Sequence, residues 1–354
     1  MDRRDFFRKW SGLAAVFVAG MAGCARKETA LPIHQQQGRN EPPLGNQPQP
    51  ATAPGGENTS PQPGTTQNPT KSAKPPQSPA PKPQAFPDLA AIQGDSPRAL
   101  VETALDSLGG IKRFVRPGSK VVIKPNIAWY RTPEQAANTN PEVVETVVRL
   151  CREAGAKSVT VLDHTLDPWQ ACFQASGIQK AVENAGGRIY CPSREDMYTE
   201  VPVPQGKAIS KELVVTDVLQ ADVFINLPIA KVHNAAGACV GLKNLMGVIW
   251  NRGAYHMNTR GGLSQCIADL STVVKPHLIV ADCYRVLLTN GPKGPGKIGD
   301  ARTIVAGTDP VAVDSFCLRF LNLTPDDVPH IKLAHRAGLG EISIPRLRVH
   351  TASI

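Results

Sequence analysis

The sequence predicts an α/β fold: a mainly parallel, doubly wound (Rossmann-like) sheet flanked by helices, preceded by a signal peptide and a disordered linker. Three observations carry this. Lys120–Lys124 and Ser158–Asp163 are short runs rich in β-branched residues and of strand length. Between them, Asn140-Pro141-Glu142 opens a helix with a capping Asn and Pro at its first position. That helix carries Val143, Val147, Leu150 and Cys151 on one face and stops near Gly155. Strand, helix and strand in this order form a βαβ unit with parallel strands.

The alternation continues along the chain. Further strands are expected at Arg188–Cys191, Asp222–Leu227, His277–Asp282 and Arg302–Ala306, with a short extra strand at Leu213–Val215. Helices are expected at Gln170–Ala185, Gly262–Val274, Pro310–Leu321 and Val328–Ala337. Strands interleaved with helices argue for a sheet covered on both faces. The body, 87–354, is long enough for one large α/β domain or two small lobes.

The start of the chain reads as an address. Asp2-Arg3-Arg4-Asp5-Phe6 followed by a weakly apolar stretch resembles a twin-arginine signal over residues 1–23. Met21-Ala22-Gly23-Cys24 resembles a lipobox, with Cys24 as the acylated residue. Residues 24–86 are dominated by Pro, Gln, Gly, Asn, Ser and Thr, and cannot bury enough apolar surface to fold. The expected plan is a lipid-anchored protein on the periplasmic side of a bacterial membrane, exported by the twin-arginine machinery. Loss of residues 1–23 would lower the formal net charge from +9 to +7, because four basic and two acidic side chains leave. That balance favours anionic partners, but no basic run interleaved with aromatics supports nucleic-acid binding.

In a doubly wound sheet, ligands sit beyond the carboxyl ends of the strands. Those ends carry Lys124-Pro125-Asn126, Asp163-His164, Asn226 to Asn234, Asp282 and Thr308-Asp309-Pro310. A lysine in such a crevice is costly unless an anion, a carboxylate or a covalent role compensates it, although Lys124 reads equally well as a snorkelling surface residue. Asp309 before Pro310 is explained by helix capping, and Asp163 by a turn. The densest stretch is Lys231–Gly247, where Gly237, Gly241 and Gly247 permit close backbone approach. Lys231, His233, Lys243 and Asn244 supply donors there for an anionic or carbonyl-bearing small molecule. The stretch fits neither a Walker loop nor a dinucleotide glycine pattern.

Ile225-Asn226-Leu227-Pro228, Lys231, His233 and Gly241-Leu242-Lys243-Asn244-Leu245-Met246-Gly247 together resemble the signature of a bacterial and archaeal family catalogued as domain of unknown function 362. Lys124–Ile127, His256, Asp282, Gly291-Pro292 and Ala306–Asp314 add to the resemblance, which spans about Val101 to Gly340. It implies an α/β domain with no established general reaction. Many relatives carry a ferredoxin-like cysteine cluster that this chain lacks, which speaks against an iron–sulfur role.

None of the seven cysteines beyond Cys24 forms a C-x-x-C pair, so neither a zinc ribbon nor a ferredoxin cluster is indicated. Cys151, Cys266 and Cys317 fall on apolar helix faces and read as core thiols, whereas Cys239 lies inside the glycine-rich motif. His233, His256 and Asp282 are a candidate divalent-metal set, and His233 is equally a general acid or base of near-neutral pKa. His164, His277, His330 and His335 read as turn or surface residues.

Three classes follow. In an exported enzyme, Lys231 and Lys243 bind or polarise the substrate, His233 moves protons, and Lys124, Asn126 and Asn244 orient it, with Gly241 and Gly247 at the binding surface. The alternatives are a non-catalytic binding lipoprotein and a redox or iron–sulfur-associated module. Converging protonatable groups favour the enzyme.

Overall fold

The structure, a computed structural model, describes residues 86–354. The signal, Cys24 and nearly all of the linker expected from the sequence lie outside the described residues. Twelve strands follow in order: β1 Leu89–Gln93, β2 Lys120–Pro125, β3 Ser158–Leu162, β4 Arg188–Tyr190, β5 Tyr198–Pro202, β6 Lys211–Val215, β7 Val223–Leu227, β8 Ile229–His233, β9 Gly237–Cys239, β10 Leu278–Leu287, β11 Ile298–Gly307 and β12 Val349–Ser353. The helices are α1 Pro97–Ser107, α2 Pro141–Glu153, α3 Trp169–Ala175, α4 Ile178–Asn184, α5 Thr216–Leu219, α6 Gly241–Asn244, α7 Arg252–His256, α8 Gly262–Ser271, α9 Pro310–Cys317 and α10 Pro329–Arg336.

Ten strands form one mixed sheet of order β12-β1-β11-β10-β7-β2-β3-β4, with β8 on β10 and β9 on β8. From β10 to β4 every neighbouring pair is parallel. The sheet is thus mostly parallel and flanked by helices, as the βαβ pattern predicts. Alternate residues of each strand feed two different cores, because successive side chains point to opposite faces. Val121 and Ile123 join one cluster with Leu100, Val144 and Val147 of α1 and α2. Val122, Ile279 and Ala281 join the other with Leu242, Ile267, Val313 and Ile331.

Local chemistry sets the elements that matter for the site. The Asn140 side chain accepts from Glu142 N and caps α2, and Gly155 (φ +87°) ends the turn beyond it. The expected helix Gln170–Ala185 is two helices. Gly177 takes a left-handed φ of +71° between α3 and α4, a conformation glycine adopts without steric cost. The expected strand Arg302–Ala306 is a ten-residue strand, β11, and it runs antiparallel to β1 and β10. Leu213–Val215 belongs to the two-stranded sheet β5–β6. Strands β1, β5, β8, β9 and β12 and helices α1, α5, α6 and α7 are additions to the sequence reading, although Ser96 before Pro97 caps α1 in the ordinary way.

The strand order reverses between β2 and β7, since β3 and β4 lie on one side of β2 and β7 on the other. Such a switch point opens a crevice at the carboxyl ends of the strands. Lys124 of β2 stands in register with Asn226 of β7 at that place.

Candidate functional site

A cleft of about 340 Å³ opens above this switch point. Its lining includes Lys124, Asn126, Asp163, Lys231, His233, Cys239, Lys243, Asn244, Gly247, Arg252 and His256. Of the substrate and catalytic residues expected from the sequence, all except Gly241 face this space.

The floor is a closed polar network. Lys124, 1% exposed, lies 2.9 Å from Asp163 Oδ1 and donates to Pro125 O at 2.6 Å and to Asn244 Oδ1 at 2.9 Å. The Asp163 contact is a charge pair off the hydrogen-bonding direction, so Oδ1 has no directed donor, while Oδ2 accepts Ile127 N at 2.6 Å. Burial lowers the Lys124 pKa, opposed by the adjacent Asp163 carboxylate. Neither the snorkelling lysine nor the plain turn aspartate survives this geometry: the two form a buried ion pair.

A lysine can only donate, so the lysines dictate which way the floor amides face. Asn126 Oδ1 accepts from Lys231 Nζ at 3.2 Å, which turns its Nδ2 toward Asn244 Oδ1 at 3.0 Å. Asn244 Nδ2 in turn donates to Asn226 Oδ1 at 2.8 Å, and Asn226 Nδ2 to Gly241 O at 2.9 Å. Lys231 sits inside β8 rather than past a strand end, and also donates to Ala137 O. Its burial is complete and pushes its pKa down to about 8.

The wall differs. Lys243, half-buried, makes no hydrogen bond or ion pair among the described residues, and burial lowers its pKa. Arg252 donates to Thr165 O at 2.7 Å and has no carboxylate within ion-pair distance. Lys231 has none either, so Asp163 is the single carboxylate of the cleft lining, already matched to Lys124. Three cationic side chains therefore converge without a counter-charge.

The two motif glycines have different roles. A Cβ on Gly247 would lie 2.0 Å from Asp163 Oδ1 and 2.4 Å from Lys124 Cε, so this glycine makes room for the ion pair. A Cβ on Gly241 would lie 2.8 Å from Asp314 Oδ1. Gly241 lies outside the cleft lining, and its backbone is pinned instead. Asp314 accepts from Gly241 N at 2.7 Å and from Leu242 N at 3.0 Å, fixing the start of α6 and with it Lys243 and Asn244. Burial outweighs these two donors and raises the Asp314 pKa to about 7.

The expected metal set does not assemble. The rings of His233 and His256 stack at 6.2 Å, but Asp282 is buried elsewhere. It accepts from Asn140 N at 2.8 Å and Tyr284 N at 2.9 Å, and so ties the start of α2 to β10. Among the described residues no group of three or more His, Cys, Asp or Glu side chains is placed to hold a metal ion. The near-neutral pKa expected of His233 is also overturned. Burial, reinforced by Lys243 and Lys231, pushes it down to about 3. Its Nδ1 accepts from Ala235 N and Ala236 N at 3.1 and 3.2 Å, leaving Nε2 as the protonated nitrogen.

Other sequence expectations sort cleanly. Cys151, Cys266 and Cys317 are fully buried core thiols, and Asp309 caps α9 by accepting from Ala312 N at 2.8 Å. His330 is no surface residue: it is 1% exposed, and burial lowers its pKa to about 3. His164 stacks on Trp250 at 5.4 Å with Nδ1 3.2 Å from Ile249 O. Pro292, part of the family resemblance, also lines the cleft, as do Arg252 and Trp129, which were not among the expected site residues; of those two only Arg252 carried a sequence signal, its place between the motif and His256.

Comparison with known proteins finds a curated relative, two distant solved structures and a family. The chain is 28% identical over 264 residues to a thylakoid-associated protein of Synechocystis sp., covering 68% of this chain and 75% of that one. Two solved structures are more distant. The lactate racemase apoprotein from Thermoanaerobacterium thermosaccharolyticum is 15% identical with a TM-score of 0.40, covering 66% of this chain and 56% of its own length. A Thermotoga maritima protein is 12% identical with a TM-score of 0.37, covering 68% and 59%. The chain thus spans less than two thirds of either structure. Residues 121–319, which hold both lysine-bearing strand ends, the glycine-rich motif and Asp314, match the profile of the domain of unknown function family DUF362, and the chain belongs to that family.

Proposed function

We propose that the cleft binds a small substrate bearing an anionic or carbonyl group and that the protein is an enzyme acting on it. The observation that carries this reading is the convergence of Lys231, Lys243 and Arg252 on a cleft whose one carboxylate is already paired. Desolvated cations without a counter-ion are costly, and an incoming anion removes that cost. Lys231, with a pKa of about 8, is the group suited to exchanging a proton near neutral pH. His233 stays neutral and offers Nε2–H to a carbonyl or anionic oxygen. Asn126 and Asn244 hold the lysines in place rather than touching substrate first.

The test is the affinity of sulfate, a probe whose charge does not change with pH. Replacing Lys243→Met together with Arg252→Gln should weaken sulfate binding at least about tenfold, with the thermal unfolding midpoint retained. Unchanged affinity in a folded double variant would remove the anion site.

We also propose that the chain works outside the cytoplasm, tethered to a membrane through Cys24 after export by the twin-arginine machinery. The Arg3-Arg4 leader supports this, and a thylakoid-associated relative fits a membrane-apposed setting. No helix among the described residues is long and apolar enough to cross a membrane. Cell fractionation should find the wild-type chain with membranes and the Cys24→Ser chain released; equal partitioning of the two would discard the anchor.

A further inference from the structure

The mouth of the cleft has a character that a small anion does not explain. Leu166 belongs to the cleft lining yet is 55% exposed. Met257, directly after the lining residue His256, is 77% exposed, and Tyr130, directly after Trp129, is 58% exposed. Exposed large apolar side chains are unremarkable when scattered, but one in the lining and two directly following lining residues mark this opening as a contact surface.

This lip is built. Leu166 N donates to Ala128 O at 2.9 Å and Tyr130 N to Asp167 Oδ2 at 3.0 Å, so the segments around 128–131 and 164–167 brace each other. Lys293 reaches across to Asp167 Oδ1 at 3.0 Å and lies 5.2 Å from the Trp129 ring centroid. Two Arg131 bonds, to Lys293 O and Gly294 O, fasten the third side. Ala128, Met246 and Pro292 add apolar surface to the same lining as the three cations.

Charge at the bottom and apolar surface at the rim specify one chemical shape. We propose that the ligand is a single-chain amphiphile: a carboxylate or phosphate head held by Lys243, Arg252 and Lys231, with an aliphatic chain leaving across Leu166 and Met257. The proposal rests on the anion-site reading above and adds the chain to it. Lys243 is half-buried whereas Leu166 and Met257 are exposed, so the head pairs with the cations and the chain lies along the exposed apolar residues, where each buried methylene adds to affinity. A short anion would gain nothing from Leu166 or Met257.

The experiment titrates the full-length chain with acetate, octanoate, inorganic phosphate, octyl phosphate and octanol at constant ionic strength, read by calorimetry. Octanoate and octyl phosphate should bind about tenfold or more tightly than their short counterparts, the gain that burying two methylenes supplies, and octanol weakly. Leu166→Ser and Met257→Ser should each remove several-fold of the chain's gain and leave acetate and phosphate unaffected. Equal affinity for short and long anions would overturn the amphiphile while leaving the anion site intact. A chain gain insensitive to both substitutions would also overturn it, since the chain would then run elsewhere. Octanol binding as tightly as octanoate, with no short anion bound, would sink both readings.

Discussion

Lys124 and Lys243 share one cleft and live in opposite circumstances. Lys124, on the floor, is 1% exposed and surrounded by Asp163, Pro125 O and Asn244 Oδ1. Lys243, on the wall two residues after Gly241, has no protein partner among the described residues. A buried charge is tolerated when a carboxylate and directed acceptors replace its water, and is otherwise a liability to the fold. The difference teaches which lysine belongs to the architecture and which one the proposed ligand would have to satisfy. Residue type and proximity to the motif do not separate them; compensation does.

The sharpest way to break this comparison is to remove each ammonium in turn. Lys124→Met leaves Asp163 buried without its counter-charge and should cost about 3–5 kcal/mol in denaturant unfolding. Lys243→Met should fall within about 1 kcal/mol of the parent, or above it, because a partly desolvated charge disappears with nothing orphaned. Equal losses from both would show that the wall lysine is structural after all.

The sequence makes the scaffold more legible than the chemistry, for a physical reason. Short β-branched runs such as Val121–Ile123 and caps such as Asn140-Pro141 are local, so β2, α2 and β3 are readable from the chain alone. The glycine-rich run also points to a single cleft, since Lys231, His233, Lys243 and Asn244 all line it. What stays hidden depends on partners distant in sequence. Asp163 becomes the mate of Lys124 only because β3 lies beside β2. Asp282 and His256 look like a metal pair until the fold spends Asp282 on the N–H groups of Asn140 and Tyr284. The histidine expected to titrate near neutrality is driven down by its burial and by the very lysines that mark the site. The split of Gln170–Ala185 at Gly177 is the reverse case, a local signal available in the sequence and overrun by the apolar pattern around it.

A smaller effect separates the third cation, Lys231, from the other two. It is fully buried like Lys124 but lacks a carboxylate, and its pKa of about 8 puts its charge change within reach of ordinary buffers. The sign follows from that value. Below about pH 8 the ammonium is present and attracts an anion; above it the amine is neutral and the attraction goes. Sulfate affinity should therefore be level from pH 6 to 7 and fall roughly fivefold by pH 9, the worth of one partly screened charge. His233 adds no second step in that range, since it is already neutral there. Burial lowers the pKa of the neighbouring Lys243 as well, so the contribution of Lys231 is isolated by substitution. Lys231→Met should consequently bind sulfate more weakly at pH 7 and show a flatter profile to pH 9. An unchanged slope in that variant would assign the titration to Lys243 and leave Lys231, like Lys124, to the floor.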